Sequence, residues 1–233
     1  MTETPTASSG AGAALWRFVK EIVIILVVAL GLSFLVRTFV VQAFYVPSQS
    51  MENTLMPNDR ILASKLSTRF GGVDRGQIVV FRDPGNWLDD AQKRSPGGLP
   101  GLFEWIGLLP SNTGDDLVKR VIGVGGDHVR CCSTDGRIVL NGVPLTEPYV
   151  KPGGTSDDVR FDVMVPQGSL FVMGDNRNAS ADSRYHLNDN QGTVPLDNVV
   201  GRVVLTVWPF SAFSTHPVPA VPFDDPRLDD QQK

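Results

Sequence analysis

The chain has 233 residues, 42% of them hydrophobic, enough to bury a core in one domain or two. A net charge of -4 excludes the basic footprint that nucleic-acid binding needs, so no DNA or RNA partner is expected. The 23 glycines and 17 prolines are scattered without a period, which favours short strands joined by turns and predicts an all-β, mostly antiparallel body.

Residues 1–19, opening "MTETPTASSGAGAAL", read as a short polar tail with little capacity to fold. Residues 20–40 are predicted as one transmembrane helix: "IVIILVVALGLSFLV", 22–36, is uncharged, and Arg37 can snorkel to the interface. A cleavable signal peptide is the alternative, but "SFLVRTFVVQAF" lacks a small-residue cleavage site. Arg17 and Lys20 precede the span and Arg37 follows it. The positive-inside rule therefore leans slightly toward a cytoplasmic N-terminus, a single pass through the cell membrane and an extracytoplasmic body.

Immediately beyond the span stands "FYVPSQSMENTL", 44–55, with Pro47, Ser48, Ser50 and a Met51 that reads as exposed. Ser50 either starts a helix or does chemistry. A strict capping box is missing, since position 53 is Asn, and a serine after proline is by itself more often a turn or cap than a nucleophile.

Residues 41–213 are expected to form the extracytoplasmic β domain. Strands are predicted at 77–83, 116–124, 127–132, 136–145, 169–175 and 201–210, all β-branched runs bounded by Gly, Pro, Asp or Asn. Turn signals stand at 133–136, "STDG", and at Asn141-Gly142. An insert at about 83–115 carries Leu102, Phe103, Trp105, Ile106, Leu108 and Leu109, suited either to dipping into a membrane interface or to a small core under a loop. The tail, 214–233, is Pro-rich and then acidic, and reads as extended or disordered.

A serine nucleophile needs a base. His128, His186 and His216 stand at a strand start, in a polar loop and in the tail, and no G-x-S-x-G elbow surrounds Ser50, so a histidine triad has poor support. A lysine serves if burial lowers its pKa. In "DLVKRVIGVGGD", Lys119 shares one strand face with Leu117 and Val121, and Arg120 shares the other with Val118 and Ile122. Both faces are apolar, so period leaves open which cation points inward; only the lysine can lose its proton in a protein. The bland reading is an amphipathic lysine on an edge strand.

The third tract is "GDNRNASADSRYH", 174–186. Its dense polar groups can brace a site, Ser180 by orienting an amine and Asp182 by pairing with Arg184. Calcium competes, because Asn176, Asn178, Ser180 and Asp182 alternate, but the loop's two arginines oppose a cation and an EF-hand's glycine and glutamate are missing. Cys131-Cys132 permits either a vicinal disulfide or two thiols on opposite strand faces. Asn178-Ala179-Ser180 is formally a glycosylation sequon, discounted because modification there would crowd the site.

Taken in order behind the span, "YVPSQSMENTL", "NDRILASK", "DLVKRVIGVGGD" and "GDNRNASADSR" resemble the boxes of bacterial type I signal peptidases, Ser/Lys endopeptidases that remove signal peptides from exported proteins. The resemblance runs from the span to about residue 210. It implies Ser50 as nucleophile, Lys119 as general base, and an oxyanion hole from the Ser50 N–H and the Ser48 hydroxyl. It implies supporting roles for Ser180, Asp182 and Arg184, and a wall made by Met51. It further implies no metal or cofactor, and preprotein substrates with small residues at -1 and -3, bound as an extended strand. The bilayer and a position near the secretion translocon complete the expected partners. Two positions depart: Asn53 stands where the family commonly has Pro, and Asn178-Ala179 where it often has Asp-Asn or Glu-Asn. A self-cleaving Ser/Lys regulator is the second reading, opposed by a membrane span between Ala11-Gly12 and Ser50. An inactive membrane-anchored binding module is the third, opposed by the intact Ser50, Lys119, Ser180 and Asp182.

Overall fold

A computed structural model describes residues 9–85, 87–88, 115–156 and 158–229. Helix α1 (Ser9–Phe39) contains an apolar stretch, Ala14–Val36, with mean hydropathy 2.5 and no burial against the rest of the chain. At 1.5 Å per residue such a stretch is about 35 Å long, enough to cross the roughly 30 Å hydrocarbon core of a bilayer. The side chain of Arg37, expected to snorkel, lies outside the described residues, as do 89–114, where the apolar residues of the insert fall.

The body is mostly antiparallel β-sheet. Its larger sheet runs in the order β1 (Val41–Tyr45), β2 (Arg60–Ser64), β11 (Val199–Trp208), β3 (Ile78–Arg82), β4 (Asp116–Val124), β9 (Ser169–Met173) and β10 (Val194–Pro195), with β12 (Ser214–Thr215) added on β11. The smaller sheet runs β7 (Val143–Pro144), β6 (Ile138–Leu140), β5 (His128–Cys131) and β8 (Phe161–Met164). Every pairing in both sheets is antiparallel.

Two of these features decide the site. First, β1 pairs with β2 from Val41↔Ser64 to Tyr45↔Arg60. The chain leaving α1 therefore enters the large sheet at once, and the turns after β1 present Ser50. Sequence reading missed β1 because its apolar residues continue the membrane tract without a break, and missed β2 because "RILAS" is too short to show a period. Second, β4 is central, flanked by β3 and β9, with Lys119 opposite Val79 and Arg120 opposite Ile78 and Met173. An edge position for Lys119 is thereby excluded. Val79, Val80, Phe81, Val121, Ile122, Phe171, Val172 and Met173 are all buried around it.

The predicted strands at 116–124 and around 77–83, 127–132 and 169–175 are present with ends trimmed by one or two residues. The last long strand starts at Val199, earlier than its hydrophobic run suggests. The Asn141-Gly142 signal makes a turn with both residues at positive φ, 49° and 80°, as a type I′ hairpin requires. Cys131 and Cys132 are joined in a disulfide between adjacent residues at the end of β5, the bonded one of the two arrangements left open.

The tail departs most from expectation. It is not disordered through residue 229: β12 pairs with β11, Leu228 is fully buried, and Asp229 pairs with Arg75 at 2.7 Å. Net charge and proline content misled here because the segment adds to an existing core instead of building its own. A few apolar anchors, Pro222, Phe223 and Leu228, are sufficient for that.

Candidate active site

Ser50 lies in the turns between β1 and β2, at the start of a tight loop closed by Thr54 N–H and Leu55 N–H donating to the Met51 carbonyl (3.1 and 2.8 Å). Met51 and Leu55 are the loop's apolar anchors. Met51, which the sequence presents as exposed, is 1% exposed and packs among Phe44, Val46, Ile61, Val80 and Val203. Ser50 immediately precedes this anchor, so its hydroxyl sits at the edge of a fixed core while Ser48 stays exposed.

Lys119 meets Ser50 from β4. Its Nζ donates to Ser50 Oγ at 2.8 Å and to the Val118 carbonyl at 3.1 Å, and Ser48 Oγ is 3.1 Å from Ser50 Oγ. The ammonium is buried and, among the described residues, has no carboxylate as a hydrogen-bond partner. Burial pushes its pKa down to about 8, against the upward pull of the more distant Asp182 and Asp175 and with a small downward push from Arg184. A lysine in that condition is neutral often enough near neutral pH to accept a proton.

Around this pair the last polar loop is stitched to the turn that carries Ser50. Asn176 N–H donates to the Ser50 carbonyl (3.0 Å), and the Asn176 side chain donates to the Gln49 carbonyl (3.0 Å) and to Glu52 (3.2 Å). Asn178 turns to Gly153 and Thr155, and Asp182 to Arg184. Three of the four alternating residues that suggested calcium, Asn176, Asn178 and Asp182, thus disperse to separate protein partners.

Asp182 and Arg184 form a fully buried pair at 2.8 and 3.0 Å, and Asp182 also accepts from the Gly174 N–H at 3.0 Å. Burial alone would push the Asp182 carboxyl up; the Arg184 guanidinium and the Gly174 N–H hold it below the usual carboxylate range. Ser180 is buried, and its Oγ makes no hydrogen bond in this structure, to Lys119 or to any other described residue.

Several residues here carry no obvious signal in the sequence. Gly174 is the clearest. A Cβ on it would lie 2.3 Å from Ser180 Oγ and 2.4 Å from the Ser50 carbonyl oxygen, so only glycine lets the two serines close on the same point. Arg120, the other cation of β4, donates twice to Asp175 (2.8 and 2.6 Å) and once to the Gly76 carbonyl (2.8 Å). Asp175 in turn accepts from Thr54 Oγ1 at 2.5 Å, fixing the far end of the Ser50 turn. Asn53 has φ of 88°, in the left-handed region that asparagine tolerates and a proline ring cannot adopt. Its side chain donates to the Tyr149 carbonyl at 2.8 Å. The departure from the usual proline and the local backbone therefore account for each other.

The family description "Signal peptidase, peptidase S26" matches residues 15–208. The chain belongs to that family. It is 38% identical over 228 residues to a probable signal peptidase I of Mycobacterium leprae, covering 84% of this chain and 77% of that protein. Over 215 residues it is 39% identical to signal peptidase I of Mycobacterium tuberculosis H37Rv, covering 82% and 72%. A solved signal peptidase I from Enterococcus faecalis V583 aligns with 56% of this chain and 95% of its own at 26% identity, with a TM-score of 0.35, too loose to add to the assignment. The protein is thus a serine protease of the signal peptidase I class. No histidine approaches Ser50: His128 pairs with Asp162, His186 stacks on Trp87 and His216 bonds Thr206.

Proposed function

We propose that this protein is a membrane-anchored endopeptidase that removes signal peptides from exported preproteins, with Ser50 as nucleophile and Lys119 as general base. The observation that carries the reading is the 2.8 Å contact between Lys119 Nζ and Ser50 Oγ, with the amine buried and its pKa lowered to about 8. Neutral Lys119 takes the Ser50 proton as Oγ attacks the scissile carbonyl. The Ser50 N–H and the Ser48 hydroxyl donate to the oxyanion that forms. Lys119 then passes its proton to the leaving amine, and Lys119, neutral again, takes a proton from the water that hydrolyses the acyl-enzyme. Ser180, with an unspent buried hydroxyl beside the site, supports the amine, and the Asp182–Arg184 pair fixes the loop that holds it.

Small residues at -1 and -3 of the substrate rest on the family resemblance, as does binding of the cleavage segment in extended form. Anchoring by α1, with the N-terminus cytoplasmic, would hold enzyme and preprotein at one membrane near the translocon and raise their effective concentration. The test incubates detergent-solubilised wild type, Ser50→Ala and Lys119→Arg with a preprotein. Processing by the wild type alone is expected, and large residues at -1 or -3 of the substrate should stop it. Full activity in Lys119→Arg, or an inert wild type, would refute the dyad. Protease accessibility of residues 41–229 in spheroplasts tests the orientation.

A further inference from the structure

Between β7 and β8 the chain carries Tyr149, outside every strand yet only 8% exposed. Four parts of the molecule converge on it. Its carbonyl accepts from Asn53 in the nucleophile's turn (2.8 Å), and its ring carries the Arg120 guanidinium 4.1 Å from the centroid. Its hydroxyl donates to Glu147 (2.7 Å); Glu147 holds Arg177 at 2.6 Å, and Arg177 Nε donates to the Gly174 carbonyl at 3.0 Å. From the C-terminal segment, the Phe223 ring stacks on it with centroids 6.1 Å apart and planes 13° apart.

That last contact is built with care for space. Gly76, at φ of 80°, lies so close to Phe223 that a Cβ there would be 2.5 Å from its ring. Farther along, buried Leu228 fixes the segment, its carbonyl accepting from Asn141 at 2.7 Å. The tail is therefore clamped on both sides of its contact with Tyr149.

We propose that Tyr149 is a positioning residue for the Ser50 nucleophile, and that the C-terminal segment, through Phe223, holds Tyr149 in register with the site. The inference rests on the Ser50–Lys119 reading above. Tyr149 touches the Ser50 turn by two routes, directly at Asn53 and through Arg120 and Asp175 at Thr54. A third route, through Glu147 and Arg177, ends at Gly174, against which the Ser50 carbonyl rests. Loosening the ring releases both ends of the turn together, and the Ser50–Lys119 contact must slacken with it.

The experiment measures kcat and KM over a pH range for the full chain in detergent, with thermal melts on every variant. For Tyr149→Leu, kcat should fall about a hundredfold with KM changed by less than about twofold, the cost of misplacing a reacting atom by an ångström. The acid limb of its kcat profile should move upward from about 8, as water reaches Lys119. Tyr149→Phe and Phe223→Ala should each lose about tenfold in kcat, and Phe223→Tyr should restore the wild-type value. A loss confined to KM, or an unmoved acid limb in a folded Tyr149→Leu, would overturn the proposal. If Tyr149→Leu does not fold, the two milder variants decide, and wild-type kcat in both would overturn it. Activity retained by Ser50→Ala would bring down the dyad and this inference together; Ser50-dependent activity with unchanged kcat in the two milder variants would bring down this inference alone.

Discussion

Lys119 and Arg120 are neighbours on β4, each 2% exposed, and they are buried for opposite ends. Arg120 is met by a bidentate carboxylate, a backbone carbonyl and an aromatic face, so its charge is compensated where it sits. Lys119 is met by a hydroxyl and a carbonyl only, and its charge is not. A compensated cation braces the site, whereas an uncompensated one is ready to lose its proton. Strand alternation separates the two by sending adjacent side chains to opposite faces, so one short run supplies both functions without the carboxylate of one neutralising the other.

Exchanging the two residues' losses breaks the comparison most sharply. Lys119→Met should lower processing by at least about a thousandfold, because the proposed general base is gone. It should not destabilise the fold. A lysine whose folded pKa of about 8 lies below its unfolded value of 10.5 weakens the folded state fully below pH 8, and the penalty fades as pH rises to 10.5. Melts of Lys119→Met should thus exceed wild type by about 3 kcal/mol at pH 7, with the gap closing through that range. Arg120→Met should do the reverse, costing about 3–5 kcal/mol in denaturant titrations by leaving Asp175 buried and unpaired. An Arg120→Met protein as stable as wild type would refute the division of labour.

A second prediction sharpens the site's geometry. Gly174→Ala forces Ser180 and the Ser50 carbonyl apart, and should lower kcat about a hundredfold while costing only about 1–3 kcal/mol in stability. Smaller still, Asn53→Pro places a ring where φ is 88° and removes a donor to Tyr149; a loss of about 1–3 kcal/mol by thermal melting is expected, with Asn53→Gly much milder. Finally, the wild-type kcat profile should rise with pH through an acid limb near 8 as Lys119 becomes neutral.

How much of this was readable beforehand differs between the interior of the large sheet and its edge. The strand 116–124 was legible to the residue because a long β-branched run bounded by Asp and Gly admits one assignment. The strand 41–45 was not, since apolar residues leaving an apolar helix look the same whether they continue it or pair in a sheet. At the site, Ser50, Lys119, Ser180, Asp182 and Arg184 emerged from the resemblance of four ordered tracts. Gly174, Asp175, Asn176 and Tyr149 stood in or near those tracts without a role, because each acts by touching residues far away in the chain. The tail was misread because its composition describes how it would behave alone, and it is never alone: Phe223 and Leu228 dock on a surface that the rest of the chain has already made.

The sequence by itself determined the class of the molecule: an apolar span of about bilayer length, a β body, and a serine and a lysine in tracts of a known family. Those are properties of local composition and order, and survive without knowing what touches what. Only the tertiary structure decided which cation of β4 goes unpaired, why residue 53 cannot be proline here, and why residue 174 must be glycine. Each of these depends on distances between segments separated by tens of residues, and such distances are set by sheet register and packing, which no window of sequence contains.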